Sequence, residues 1–338
     1  MYADRNIGRR AIAWTLALSL YSAMALHAGD TPRLERVGTI RLKGPGGRLD
    51  HLAIDHRHGR LFVANMANSS LDIVDLKAGR LIKQIPGQKG IQGIAYAPDL
   101  DRIFVGDEAG GLCHAFDGRD YTLLKTFKFE DDADNVRYDP HTHLVYVAHA
   151  EKELAVIDGK ALELRAEIKV PGQPESFQLE QGGSRLYLNT PSTKQVSVID
   201  TRKNEVVDRY TLHQAAGNYP MALDEANHRL FVGCRAKPML VVLDTETGKE
   251  VARVPIPGDT DDVWFDADRK RIYASCGEGF LAVIQQVNVN QYEPLAKLRT
   301  VKGARTSLFD AQSGRLYLVV PRQANQDGPT VQVYRAAH

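Results

Sequence analysis

Apolar residues fall along this chain in short blocks, set apart by turns rich in glycine, aspartate, asparagine and lysine. Within a block they run on continuously or alternate with polar residues, and the three-and-four spacing of an amphipathic helix does not develop. Blocks dominated by β-branched and aromatic residues and bounded by turn residues predict strands. One block recurs as a phrase, Arg60-Leu61-Phe62-Val63-Ala64-Asn65, echoed as Arg102-Ile103-Phe104-Val105-Gly106-Asp107 and Leu144-Val145-Tyr146-Val147-Ala148-His149. Its later versions begin at Arg185, Arg229, Arg271 and Arg315. The phrase aromatics stand at 62, 104, 146, 187, 231, 273 and 317, spaced 42, 42, 41, 44, 42 and 44 residues apart. A period of about 40–45 residues is that of a four-stranded propeller blade. Seven copies predict an all-β, seven-bladed β-propeller of four-stranded blades.

Each repeat runs in the same order. An inner strand such as 51–55 meets a tight turn, then the phrase strand, then a third strand such as 71–75, and a polar turn leads to an outer strand such as 80–85. Pro86-Gly87, Pro171-Gly172 and Pro257-Gly258 mark crossings to the next blade. The last repeat stops one strand short, after Val331–Tyr334, while residues 34–42 form a strand-like run ahead of the first repeat. Pairing the two closes the ring and leaves no long open edge.

The YVAH of residues 146–149, with FVAN at 62–65, FVGD at 104–107 and the flanking VID at 156–158 and 198–200, resembles the YVTN β-propeller repeat. The resemblance covers residues 34–338 and is similar to the YncE-like branch of exported bacterial propellers. It implies the propeller fold and a non-catalytic binding role.

Charge and the first residues add location. Formal net charge is +1; without residues 1–25, which carry Arg5, Arg9, Arg10 and Asp4, 40 basic and 41 acidic residues remain. That balance gives no electrostatic footprint for nucleic acid. Arg9 and Arg10 precede the apolar stretch 11–20, and Ala23-Met24-Ala25 supplies a small-x-small cleavage pattern. Residues 1–25 therefore read as a signal peptide, with an uncleaved anchor as the alternative. The domain is expected over 26–338, in the periplasm or extracellular space, with no stable membrane span after cleavage and as a monomer. Three cysteines, Cys113, Cys234 and Cys276, cannot all pair within one chain, so disulfides are not the framework.

The repeat also lines up candidate chemistry, because inner strands begin, and phrase strands end, on one rim of the channel. Twelve residues before the phrase aromatic stand Asp50, Gln92, Asp134, Glu175, Tyr219, Asp261 and Arg305. Acidic residues make up about one in eight of the chain, so seven positions should hold about one; this ring holds four. The next position reads His51, Gly93, Asn135, Ser176, Pro220, Asp262 and Thr306, and three after the aromatic come Asn65, Asp107, His149, Thr190, Cys234, Cys276 and Val320. Convergent carboxylates need a counter-charge or they raise one another's pKa. Arg305 supplies one, and a divalent metal held by Asp50, Asp134, Glu175 and Asp261 would supply more; oxygen ligands favour Ca²⁺ or Mg²⁺. His51, His149, Cys234 and Cys276 would suit Zn²⁺ or copper instead. The plain alternative is that these residues cap strands and hold channel water.

No nucleophile elbow, zincin helix, phosphate loop or haem-attachment motif occurs. The leading expectation is a binding protein whose channel-mouth face, including Asn65, Gln92, Asp107, Asn135, His149, Tyr219, Cys234 and Cys276, takes a small molecule, metal or protein partner. A metal-dependent lactonase-like hydrolase or lyase is the alternative, with His51 or Asp262 as general base and Arg305 stabilising negative charge. A third is a redox scaffold similar to haem d1 propellers, with His51 or His149 as axial ligand.

Overall fold

The computed structural model describes Met1 and residues 34–337; residues 2–25 of the expected signal segment lie outside them. Among the described residues, twenty-eight strands form seven antiparallel sheets of four, and the helical elements are short 3₁₀ turns. Blades 1 to 6 comprise residues 52–86, 91–128, 133–169, 177–211, 216–255 and 260–299. Blade 7 takes three strands from 307–336 and its fourth from Leu34–Arg41, which pairs antiparallel with Thr330–Ala336. The ring is closed as the unpaired ends of the sequence require.

The apolar periodicity has a direct structural cause. Among the described residues the apolar core is divided into seven clusters, one at each blade interface. A phrase strand such as Leu144–His149 lies between two neighbours and buries both faces. This is why its apolar residues run on continuously, while an outer strand such as Arg80–Pro86 is largely exposed.

The closing strand shows the same two-sidedness through a bulge. Simple alternation would put Leu34 and Ile40 on one face, six residues apart. The register slips at Val37, so that Arg36 pairs with Tyr334 and Gly38 with Val333. A bulge of this kind flips the face of everything beyond it. Leu34 consequently joins the cluster with blade 6, and Ile40 the cluster with blade 1.

The arginine that opens the phrase adds a polar staple. Arg60 bonds the Tyr121 hydroxyl of blade 2 at 2.9 Å, and Arg102 the Lys160 carbonyl of blade 3 at 2.8 Å. Arg229 reaches the Val289 carbonyl of blade 6 at 2.8 Å, and Arg271 the Ala337 carbonyl beyond blade 7 at 2.7 Å. Arg185 does the same from blade 4 to the Thr245 carbonyl of blade 5 at 3.2 Å. Each donates to the turn between the third and outer strands of the following blade, or to its equivalent at the closure. A guanidinium reaches carbonyls there that no backbone ladder satisfies.

Truncating Ile40, which is 4% exposed, should remove closure packing. Ile40→Ala is expected to cost about 2–5 kcal/mol, whereas Val37→Ala, at the exposed bulge, should stay within about 0.5 kcal/mol. Thermal unfolding followed by circular dichroism measures both; equal effects would show that the closing strand acts as a tail.

Candidate functional site

The inner strands all begin at one mouth of the channel, and there the structure assembles most of the twelve-before ring. Gln92, Asp134, Glu175, Tyr219, Asp261 and Arg305 line one cavity of about 170 Å³ together with Arg48, His51, Glu108, Asp132, Asn135, Gln173, Ser176 and Arg235. Asp50, the seventh member, is fully buried beside His51 and Arg48. Local backbone explains the convergence. In blades 2, 3, 5 and 6 the pairing of inner and phrase strands skips residues 92–93, 134–135, 219–220 and 261. A bulge re-aims the unpaired side chain, here toward the axis. Gly93 permits this close approach, because a β-carbon there would collide with the Asp134 carbonyl.

Charges segregate around the mouth. Blades 2 to 4 present Glu108, Asp132, Asp134 and Glu175, spaced by Gln92, Asn135 and Gln173; Arg235, Arg305, Arg48 and His51 occupy the opposite arc around Asp261. Asp261 accepts from Arg235 and lies 2.8 Å from Arg305 Nε. Arg305 Nη1 also donates to Asp259 at 2.9 Å, and Arg235 stacks 3.9 Å from the Tyr219 ring centre. Arg48 lies 2.6 Å from Asp50. On the acidic arc the partners are amides: Gln92 donates to Glu108 at 3.1 Å and Gln173 to Asp132 at 3.0 Å. Asp134 and Glu175 form neither an ion pair nor a side-chain hydrogen bond among the described residues. Asp134 Oδ1 and Asn135 Oδ1 are buried without a partner.

Protonation follows from burial and from these neighbours. Burial, opposed by His51 and Arg48, pushes the Asp50 carboxyl up to about 6. Burial, opposed by His51, pushes Asp134 up to about 7; burial and then the Asp134 and Asp261 carboxylates push Glu175 up to about 9. Burial would lower His51, but Asp262 at 3.5 Å and Asp50 at 3.8 Å outweigh it and raise the imidazole to about 10. His51 is thus an imidazolium at neutral pH, clamped between two carboxylates. It lines the mouth and also a second cavity of about 280 Å³ further down the inner strands, where Leu52, Ile54, Val136 and Trp264 are found.

No family profile matches the chain. The uncharacterized YncE protein of Salmonella typhimurium is 23% identical over 200 residues, covering 57% of this chain and 56% of the relative. YncE of Escherichia coli K12 is 29% identical over 125 residues, 35% of each chain. The chain spans about half the length of the curated relatives it matches, or less. Among solved structures, Kuenenia stuttgartiensis hydrazine synthase superposes with a TM-score of 0.76 at 16% identity, covering 88% of this chain and 97% of that one. The WD40 repeats of RRP9 superpose at 0.74 and 13% identity, covering 90% and 97%. Both share the fold alone. The chain is a YncE-like seven-bladed propeller.

In this YncE-like propeller the residues three after the phrase aromatic lie off the mouth, at strand ends between blades. Asn65 donates to Asp72 at 2.9 Å and to the Lys43 carbonyl at 3.0 Å. Asp107 caps a 3₁₀ turn, accepting from Ala109 N at 3.0 Å and Gly90 N at 3.2 Å. Cys234 and Cys276 are buried free thiols, each pushed up to about 12 by burial. His149 is buried and stacked on Phe129; burial and then Lys169 hold its imidazole down to about 4. With Glu153 and Glu167 it forms a group able to hold a metal ion. Five mouth residues went unnoticed in the sequence: Arg48, Glu108, Asp132, Gln173 and Arg235. A signal existed, since Arg48, Asp132 and Gln173 stand fourteen before the phrase aromatic, and Glu108 and Arg235 four after it.

The unpaired carboxyls make stability depend on pH. A carboxyl whose folded pKa is raised binds more protons folded than unfolded, so stability falls as pH climbs between the two values. For Glu175 that window runs from its ordinary value of 4.5 to about 9. His51 acts in the same direction: its contribution is complete below 6.5 and lost as pH passes about 10. Glu175→Gln should therefore raise the melting temperature at pH 8 and leave it nearly unchanged at pH 4. Melting curves at the two pH values decide, and an equal shift at both would remove the carboxyl as the cause.

Proposed function

We propose that this chain is an exported binding protein whose channel mouth takes a small, polar, positively charged ligand, either a hard divalent cation or a compact organic ammonium. One observation carries the reading. Asp134 and Glu175 face a shared cavity and, among the described residues, have no ion pair or side-chain hydrogen bond, His51 and Arg235 acting on them only through space, while every other acid of the mouth has a partner. Unpaired carboxyls in a low-dielectric site are costly, and a ligand cation is the charge that offsets them. Buried Asn135 Oδ1 adds a third oxygen of the type that Ca²⁺ and Mg²⁺ take.

Cavity size narrows the ligand. About 170 Å³ is small beside the about 300–1,000 Å³ of pockets for drug-sized ligands. A haem-sized macrocycle would not fit, and His149, one of its two candidate axial ligands, lies off the mouth. A hydrolase would need a base here, but His51 is protonated and Asp262 both flanks it and accepts from the Ser307 amide at 2.7 Å. Binding therefore ranks ahead of catalysis. Export rests on the Arg9-Arg10, apolar and Ala23-Met24-Ala25 pattern; among the described residues no helix is long and apolar enough to cross a membrane.

Titration calorimetry with Ca²⁺, Mg²⁺ and putrescine tests the reading. Asp134→Asn with Glu175→Gln should weaken whichever probe binds by about ten- to hundredfold, the loss expected when charged hydrogen-bond acceptors are removed. A metal ligand would further show as a lower melting temperature in chelator. Equal binding by wild type and double variant, or none by either, would sink the proposal.

A further inference from the structure

We propose that His149, Glu153 and Glu167, on the flank of blade 3 and apart from the channel mouth, form a site for one divalent metal ion of the zinc class. Strand register brings the three together. His149 ends its phrase strand opposite Glu153 of the third strand, and Glu167 of the outer strand lies opposite Ala155, two residues beyond Glu153. Side chains two apart share a face, so three neighbouring strands each contribute one ligand to the same patch.

The distances suit a metal better than a hydrogen bond. His149 Nε2 is 3.8 Å from a Glu153 oxygen and 3.7 Å from a Glu167 oxygen. Both exceed the about 2.7–3.2 Å of an N–H···O bond. Bonds of about 2.0–2.2 Å to a tetrahedral ion place neighbouring ligand atoms about 3.4 Å apart, which a small contraction would reach.

The second observation is independent of the carboxylates. The His149 ring is 1% exposed, stacked 4.1 Å from Phe129, and neither of its nitrogens has a hydrogen-bond partner. A neutral imidazole carries one N–H and one lone pair, and burying both unmet is costly. The corresponding place in blade 1 shows what a purely structural cluster looks like. There Asn65, Ser70 and Gln84 all donate to Asp72, at 2.9, 2.6 and 2.9 Å. Blade 3 replaces those three donors with an imidazole and two carboxylates, and sets Ala155 where Asp72 would accept from them. Among the described residues, the cation paired with this group is Lys169, which contacts Glu153 and is 76% exposed, so it can turn into water when an ion arrives. One imidazole and two carboxylates are an N,O set suited to Zn²⁺, with the remaining coordination position left to water.

Calorimetry with Zn²⁺, and Co²⁺ absorption as a report of tetrahedral geometry, on chelator-stripped full-length protein tests the site. One equivalent per chain is expected. Glu167→Gln and His149→Gln should weaken Zn²⁺ by at least about tenfold, the smallest loss usual even for outer-shell partners. Lys169→Ala, which removes the competing cation, should tighten it. Asp134→Asn with Glu175→Gln should leave it unchanged, which separates this site from the channel mouth. Should His149→Gln fail to fold, the opposite signs of Glu167→Gln and Lys169→Ala decide. Absence of Zn²⁺ binding, binding indifferent to Glu167→Gln, or loss through the channel-mouth variant would each overturn the proposal.

Discussion

Ring closure is the constraint on which this structure depends. Because every apolar cluster lies between two blades, no blade is complete alone, and an open ring would expose two interfaces at once. The Leu34–Arg41 strand removes both exposures together. Its bulge at Val37 lets one short segment supply Leu34 to the blade 6 side and Ile40 to the blade 1 side. The recurring arginines act on the same seams from outside the apolar clusters, tying five of the seven blades to the turn of the next. Apolar burial supplies the bulk of the attraction, and the arginines add directional hydrogen bonds across the seams.

Closure has an electrostatic consequence at the axis. Seven inner strands starting at one mouth force seven side chains toward a common point, and a bulge in four of the blades points them inward. Four of those seven residues are acidic. Half of this charge is neutralised locally: Asp50 by Arg48 and His51, and Asp261 by Arg235 and Arg305. Asp134 and Glu175 are left on the far arc, and burial first, with repulsion from neighbouring carboxylates behind it, raises their proton affinity. A fold under selection for stability alone would place glutamine or serine there, as blade 2 does with Gln92. Retained instability at a concave, polar, solvent-connected place is the usual trade of stability against binding.

The fold was legible because it is a repetition problem: one phrase, seven aromatics, and an orphan strand at each end with no other partner. The twelve-before ring was legible for the same reason, since equal counts in equal blades reach equal places. Counting failed where local geometry changed. Residues three after the aromatic still lie within the phrase strands, whose two faces pack on neighbouring blades, so Asn65, Asp107, His149, Cys234 and Cys276 are buried between blades instead of lining the mouth. Arg48, Asp132 and Gln173 lie in the blade crossings that precede inner strands, positions that read as plain connectors until the ring sets them around the mouth. Arg235 was the least legible. Its importance comes from Asp261 and Tyr219, which belong to positions the linear sequence does not set beside it.

A repeat protein carries its own controls, and these separate architecture from chemistry more sharply than any single site can. Positions filled alike in most blades, such as the phrase arginine and aromatic, answer to packing that every blade must solve. Positions filled differently in one blade answer to something only that blade does. By this measure the Asn65, Ser70, Asp72 and Gln84 cluster is architecture, because three neutral donors converge on its single carboxylate. The acidic arc of blades 3 and 4 and the His149 group are departures in which Asp134 Oδ1, Asn135 Oδ1 and both nitrogens of His149 are buried and unmet among the described residues. Unmet buried atoms occur elsewhere in the ring as well, but at these two places they stand with carboxylates around a shared cavity or patch, where one bound cation would meet them together.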